Sequence, residues 1–152
     1  MSRTRQICSF VLGDLVFGVE VLKVQEVLRS QAMTRVPLAS SMVRGLINLR
    51  GRIVTAVDVR ARFGLPPLTA EREPMNVVLS TGDGVVSLLV DEIGDVLTLD
   101  ESDFERPPAT LPPVFRDVVV GVYKLERSLL LMLDVERIVP PEQSPSAVGT
   151  AA

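Results

Sequence analysis

Apolar residues in this chain come in short runs broken by turn residues, and the breaks carry most of the structural information. Ile7–Leu12 and Leu15–Val19 flank Gly13-Asp14, and Val77–Ser80 and Val85–Val90 flank Thr81–Gly84. Each set reads as a β-hairpin, because Gly and Asp tolerate the positive φ that a tight turn needs. Gly45–Leu49 and Ile53–Val57 enclose Arg50-Gly51-Arg52, and Val119–Leu125 and Leu129–Leu133 enclose Glu126-Arg127-Ser128, which makes two further hairpins. Between them, Val21, Val24 and Leu28 share one face at helical spacing, so Val21–Leu28 is predicted as a short helix. Asp58 and Asp134 stand where a strand gives way to a short helical segment, and each is expected to cap it by accepting a backbone N–H bond.

These elements repeat. Gly13–Leu28 aligns without gaps on Gly82–Leu97, and Gly45–Arg50 through Val57–Arg60 matches Gly121–Glu126 through Leu133–Glu136, in the same order. One small unit used twice places the functional surfaces on and between two related halves. Leu65–Pro74, rich in proline, is the expected linker, since proline cannot donate to a sheet ladder. Arg106–Pro113, with its four prolines, is expected to be a rigid exposed loop. The reading is a single domain over 1–139, with subdomain 1 at about 14–64 and subdomain 2 at about 75–134, and with the N-terminal strand or C-terminal helix crossing over. Residues 140–152 are too polar and proline-rich to fold and read as a disordered tail.

The fold class is all-β, mainly strands with short helices. About five short strands per half suit two small barrels, which close their sheets and so remove exposed edges. Units of this size are marginal alone, so the two are expected to share an apolar core.

Composition then removes function classes. A net charge of -3 with 16 scattered basic residues, no Trp and a single Tyr123 argues against nucleic-acid binding, which wants a basic face or stacking rings. The lone Cys8 cannot form an internal disulfide and reads as a buried, inert thiol in a reducing compartment. No apolar run approaches the roughly 20 residues of a membrane-crossing helix, and the basic N-terminus lacks a signal-peptide core, so a cytoplasmic protein without membrane insertion is expected.

The chain holds no histidine, which excludes a Ser-His-Asp triad, a phospho-accepting histidine and most transition-metal sites. No catalytic residue, metal site or cofactor is expected. Asp91, Glu92 and Asp95 form the densest acidic cluster, but without regular ligand spacing or a substrate-binding aromatic they read as a solvated face. The sharpest local feature is Asn48-Leu49-Arg50-Gly51-Arg52. Arg50 is either free in water or forks onto a carboxylate, for which Glu26 is the natural partner.

Gly18–Val27, Thr34-Arg35-Val36-Pro37, Val43–Val54 with its Asn-Leu-Arg-Gly element, and Val57-Asp58-Val59-Arg60 resemble the CheW family of chemotaxis coupling proteins. Leu88–Leu97 and Gly121–Lys124 continue the resemblance, which runs from about Ile7 to Val139. It implies two SH3-like five-stranded β-barrels around a shared core. It also implies a non-enzymatic adaptor that couples chemoreceptors, the methyl-accepting chemotaxis proteins, to the histidine kinase CheA at membrane-associated receptor arrays. By position, Val24, Glu26, Val27, Arg50 and Val96 would form or support the groove for the receptor's cytoplasmic tip. Gly45, Met75 and Ile93 would lie nearer the contact with the kinase regulatory domain. Two alternatives stand beside this: a CheW-like module of a CheV-type or kinase-derived protein in a paralogous pathway, and a small β-barrel ligand binder. The chain departs from the family at Thr55-Ala56 and Ser40, where prolines are usual, and at Ser87, where glycine is frequent. A Ser87 side chain at a close backbone approach would reshape a partner contact.

Overall fold

Eleven strands and three one-turn helices follow from these runs in a computed structural model that describes residues 3–139 other than 38, 70 and 83. The tail expected at 140–152 lies outside the described residues. The first half contributes β1 (Thr4–Leu12), β2 (Leu15–Glu20), β3 (Val24–Leu28), β4 (Val43–Leu49), β5 (Arg52–Asp58) and α1 (Val59–Arg62). The second contributes β6 (Met75–Thr81), β7 (Gly84–Val90), β8 (Glu92–Asp100), β9 (Phe104–Glu105), α2 (Pro113–Arg116), β10 (Val119–Lys124), β11 (Leu129–Leu133) and α3 (Val135–Ile138). Asp58 accepts from Ala61 N at 3.2 Å and Asp134 from Glu136 N at 2.9 Å, so both aspartates cap the helices that follow them.

The strands form two sheets, ordered β8-β1-β2-β11-β10-β9 and β3-β6-β7-β5-β4. Exchanging the halves, so that β1 maps to β6, β2 to β7, β3 to β8, β4 to β10 and β5 to β11, turns one order into the other. The repeat persists in detail. Both sheets contain one parallel pairing, β2 with β11 and β5 with β7. Both carry a register shift at matching places, between Val43 and Gly45 and between Val119 and Gly121. Sheet one gains a sixth strand because two residues of β9 pair with β10, whereas at the matching place in the other sheet Thr34 makes a single bridge to Leu46.

Each sheet therefore draws on both halves. The hairpin β1-β2 joins strands of the second half, and β6-β7 joins strands of the first, an exchange of whole hairpins rather than of one strand or helix. The chain crosses between sheets at Val21–Lys23 and again at Asp91. Helix α3 sits across the divide, where Glu136 Oε1 accepts from Gly82 N in the β6-β7 turn at 2.8 Å.

The exchange builds the core. The largest buried cluster takes side chains from both sheets: Phe10, Leu12, Phe17 and Val19 from β1-β2, Val77, Leu79, Val86 and Leu88 from β6-β7, with Leu131, Leu133 and Ile138. Phe17 stacks on Phe10, Phe63 and Phe115 at centroid distances of 5.8, 5.2 and 6.4 Å, so α1 and α2 are pinned to the same seam. Burying each such ring contributes about 2 kcal/mol. The opposite faces form two smaller interiors, one around Ile7, Tyr123, Leu130 and Met132, the other around Ile47, Ala56 and Leu89. Leu97 and Leu99 of terminal strand β8 and Phe104 of terminal strand β9 all pack against the first of these, so both edges of the sheet turn toward one interior.

The helix expected over Val21–Leu28 is absent. Val21–Lys23 makes a single 3-10 turn and Val24–Leu28 is strand β3, paired with β6. Valine at 21, 24 and 27 favours strand, and the main-chain bonds to β6 complete a sheet that a helix would leave open.

Candidate functional site

The Asn-Leu-Arg-Gly element is a turn that aims an arginine. Leu49 pairs with Arg52, leaving Arg50 and Gly51 as a two-residue loop with φ of +52° and +84°, the left-handed geometry of a type I′ turn. Gly51 takes this freely, and Asn48 Oδ1 accepts from Gly51 N at 3.0 Å. Arg50 is the only non-glycine residue at positive φ among those described. Its Nη1 donates to Glu26 Oε2 at 2.5 Å, joining the β4-β5 tip to β3, the other terminal strand of the sheet. The hydrogen bond to Glu26 raises the Arg50 pKa above its ordinary value. Around this pair lies a depression lined by Gln25, Leu49, Arg52 and Val54.

Val24 is half-buried against the shared core, while Val27 on the same strand is exposed. The structure thus joins Glu26 and Arg50 by contact and places Val24 and Val27 on the same strand as Glu26. Val96 stands in the other sheet, exposed on terminal strand β8 opposite Cys8. In the repeat Val96 is the counterpart of Val27, so the two are exposed valines on equivalent strands. The pair itself has no equivalent: the counterparts of Glu26 and Arg50 are Asp95 and Glu126, two acids that cannot bridge.

Met75 and Ile93 come together in a shallow depression with Arg72, Glu73, Asp91 and Glu92. Gly45 is not part of it. It lies on β4, separated from β6 by β5 and β7, and is buried. A Cβ on Gly45 would sit 2.6 Å from Thr34 O, so glycine here admits the Thr34–Leu46 bridge.

The acidic cluster divides. Glu92 and Asp95 are exposed, as a solvated face requires, but Asp91 is not. It receives a two-pronged fork from Arg60, Nε to Oδ1 at 2.7 Å and Nη2 to Oδ2 at 2.5 Å, and Gly13 N donates to Oδ2 at 2.7 Å. Arg60 Nη1 also donates to Pro66 O at 2.6 Å. Burial alone pushes the Asp91 carboxyl up, but the Arg60 and Gly13 hydrogen bonds outweigh it and the net direction is down. Sequence reasoning passed over this pair. The signal was present: Asp91 directly continues the apolar run Val85–Val90, where an unpaired charge is costly.

Ser87 does not face a partner. It is fully buried, and its hydroxyl donates to Asn76 Oδ1 at 2.9 Å, while Asn76 Nδ2 donates to Arg29 O at 3.1 Å. In the repeat, Ser87 and Asn76 correspond to Gly18 and Ile7, and a Cβ on Gly18 would come within 2.5 Å of Ile7 Cγ2. One interior thus combines a glycine with a bulky isoleucine, and the other a serine with an asparagine. Cys8 is buried, and burial pushes its thiol pKa up. Among the described residues, no group of three or more His, Cys, Asp or Glu is placed to hold a metal ion.

The CheW-like domain family matches residues 6–143 of the chain. "Chemotaxis protein CheW" of Bacillus subtilis is 30% identical over 143 residues, covering 94% of this chain and 92% of that protein. "Chemotaxis protein CheW" of Klebsiella aerogenes is 29% identical over 134 residues, covering 88% and 81%. The crystal structure of scaffolding protein TtCheW from Thermoanaerobacter tengcongensis superposes with a TM-score of 0.79 at 24% identity, covering 87% of this chain and 90% of that one.

Proposed function

The chain belongs to the CheW-like family, and from that premise we propose that it is a non-catalytic adaptor coupling chemoreceptors to the histidine kinase CheA. The observation that carries the reading is the pairing of two surfaces on one shared core. On this reading one surface is the Glu26–Arg50 pair with Val24 and Val27 of the same strand β3, to which Val96 of the other sheet is assigned as well. The other is the Met75–Ile93 depression. A helical hairpin at a receptor tip presents apolar knobs with polar flanks, and exposed valines beside an anchored arginine suit it. On this reading the tip docks against Val24, Glu26, Val27, Arg50 and Val96, with the Glu26–Arg50 ion pair holding the arginine in place.

The kinase regulatory domain docks at Met75 and Ile93. Gly45 lies apart from that depression, and its part in the kinase contact would come only through the backbone path it gives β4, since a buried glycine offers no side chain to a partner. An adaptor of this kind works in the cytoplasm beside the receptor arrays. Calorimetric titration of the whole chain with its cognate CheA regulatory domain tests the reading. Binding tighter than about 100 μM, equivalent to about 5.5 kcal/mol, is expected. No heat of binding in that range overturns it.

A further inference from the structure

The two poles at which the chain crosses between sheets solve the same problem differently. At each pole a hairpin turn places a backbone N–H against the other sheet, and a carboxylate receives it: Asp91 for Gly13 and Glu136 for Gly82. Gly13 and Gly82 are repeat counterparts, and so are Arg60 and Glu136, and Asp91 and Leu22. At the second pole the helix supplies the carboxylate itself. There the residue matching Asp91 is Leu22, 93% exposed and outside any such bond. The repeat can therefore hold its turn with one carboxylate and no arginine. The Arg60 fork is an addition at one pole, and that pole carries Met75 and Ile93.

The walls of the Met75–Ile93 depression are the linker residues Arg72 and Glu73, the start of β6, and the segment Asp91–Ile93. Arg60 grips one of these walls directly, through Asp91, and holds the start of the linker that leads to the other. Its Nη1 holds the linker through Pro66 O, and its Nε and Nη2 hold the β7-β8 junction through Asp91. Above the fork, Arg72 Nη2 donates to Glu92 Oε1 at 3.1 Å and ties the same walls at the rim. Arg60 and Asp91 side chains are 16% and 3% exposed, so the fork acts within the protein and touches no partner directly. A planar guanidinium with three donors engaged in fixed directions sets geometry, which a lysine ammonium does not.

We propose that Arg60 is a positioning residue for kinase docking: it locks the linker and the β7-β8 junction in register and so sets how Met75 and Ile93 are presented. The proposal rests on the reading that this depression meets the CheA regulatory domain. The test uses the whole chain, with Arg60→Gln/Asp91→Asn as the main variant. Removing both charges leaves no uncompensated buried ion, and the amide oxygen introduced by Asp91→Asn can still accept from Gly13 N. Arg60→Lys is the second variant, keeping the charge without the fork.

Affinities for the cognate CheA regulatory domain and for a receptor-tip hairpin are measured alongside thermal unfolding. The double variant is expected to lose about tenfold in kinase affinity with receptor-tip affinity unchanged, and Arg60→Lys to fall between it and wild type. A folded double variant that binds the kinase domain as tightly as wild type overturns the proposal. So does an equal loss for both partners, which would mark a general structural role. If the double variant does not fold, wild-type kinase affinity in Arg60→Lys overturns it equally. Failure of the wild type itself to bind the kinase domain instead sinks the underlying adaptor reading.

Discussion

Replacing Gly45 with alanine tests whether this buried glycine acts through backbone approach. An added Cβ would lie 2.6 Å from Thr34 O, whereas ordinary contact begins at 3.4 Å, so Thr34 must withdraw by about 0.8 Å. The two bonds of the bridge, Thr34 N to Leu46 O at 2.9 Å and Leu46 N to Thr34 O at 2.8 Å, would then stretch beyond hydrogen-bond range. At about 1 kcal/mol net for each, the loss is about 2 kcal/mol. For a chain of this size that lowers the thermal midpoint by about 4–8 °C. Gly121 is the repeat counterpart, and there an added Cβ would run into the Phe104 ring as well as lie 2.7 Å from Glu105 O. Phe104 is packed against Tyr123 at a centroid distance of 5.1 Å and cannot yield freely, so Gly121→Ala should cost more, about 3 kcal/mol. Calorimetric unfolding of both variants, with hydrogen exchange at the Thr34 and Leu46 amides, provides the assay. Wild-type stability in Gly45→Ala, or a greater loss there than in Gly121→Ala, refutes the reasoning. Full stability with lost kinase affinity would place Gly45 on the contact surface itself.

Arg50→Ala should weaken receptor-tip binding and leave the unfolding midpoint in place, because the side chain is 79% exposed; a fall in the midpoint measured by circular dichroism would make Arg50 structural. Asp91 has a depressed folded-state pKa, so its contribution to stability is full above the unfolded value of about 3.9 and is lost as pH falls through the folded value. Denaturant titrations between about pH 5 and pH 2 should therefore show a steeper acid loss in wild type than in Asp91→Asn, and parallel profiles would contradict the direction. The Tyr123 hydroxyl is buried and no group among the described residues meets hydrogen-bond geometry with it, although the Arg5 guanidinium acts on it electrostatically, so Tyr123→Phe should be within about 0.5 kcal/mol of wild type; a loss above about 1.5 kcal/mol would make Arg5 a true hydrogen-bond partner.

The hairpins and the helix caps were legible because their signals are local: a turn residue between apolar runs, an aspartate at a strand end. The internal repeat carried more than expected, since strand order, register shifts and the close approaches at Gly45 and Gly121 all obey it. Hidden from a linear reading was which hairpin joins which sheet, because β1-β2 and β6-β7 are equally apolar and nothing in either sequence names its partner. Val21–Leu28 reads as a helix because Val21, Val24 and Leu28 fall at helical spacing, but the same segment also suits a half-buried strand, and only the free edge of β6 decides between them. At the candidate site, Arg50 stood out through its glycine turn, whereas the Arg60–Asp91 fork joins residues 31 positions apart and is visible only once the chain has folded back. Ser87 looked like a departure at a contact surface, but its explanation is Asn76, a second polar residue inside the same barrel.

An adaptor must hold both partners at once, on separate surfaces. Titrating a receptor-tip hairpin into the whole chain, first alone and then saturated with CheA regulatory domain, measures this directly. Equal tip affinity in the two titrations, with a ternary complex in sedimentation, is the predicted result. Displacement of the tip by the kinase domain would contradict it.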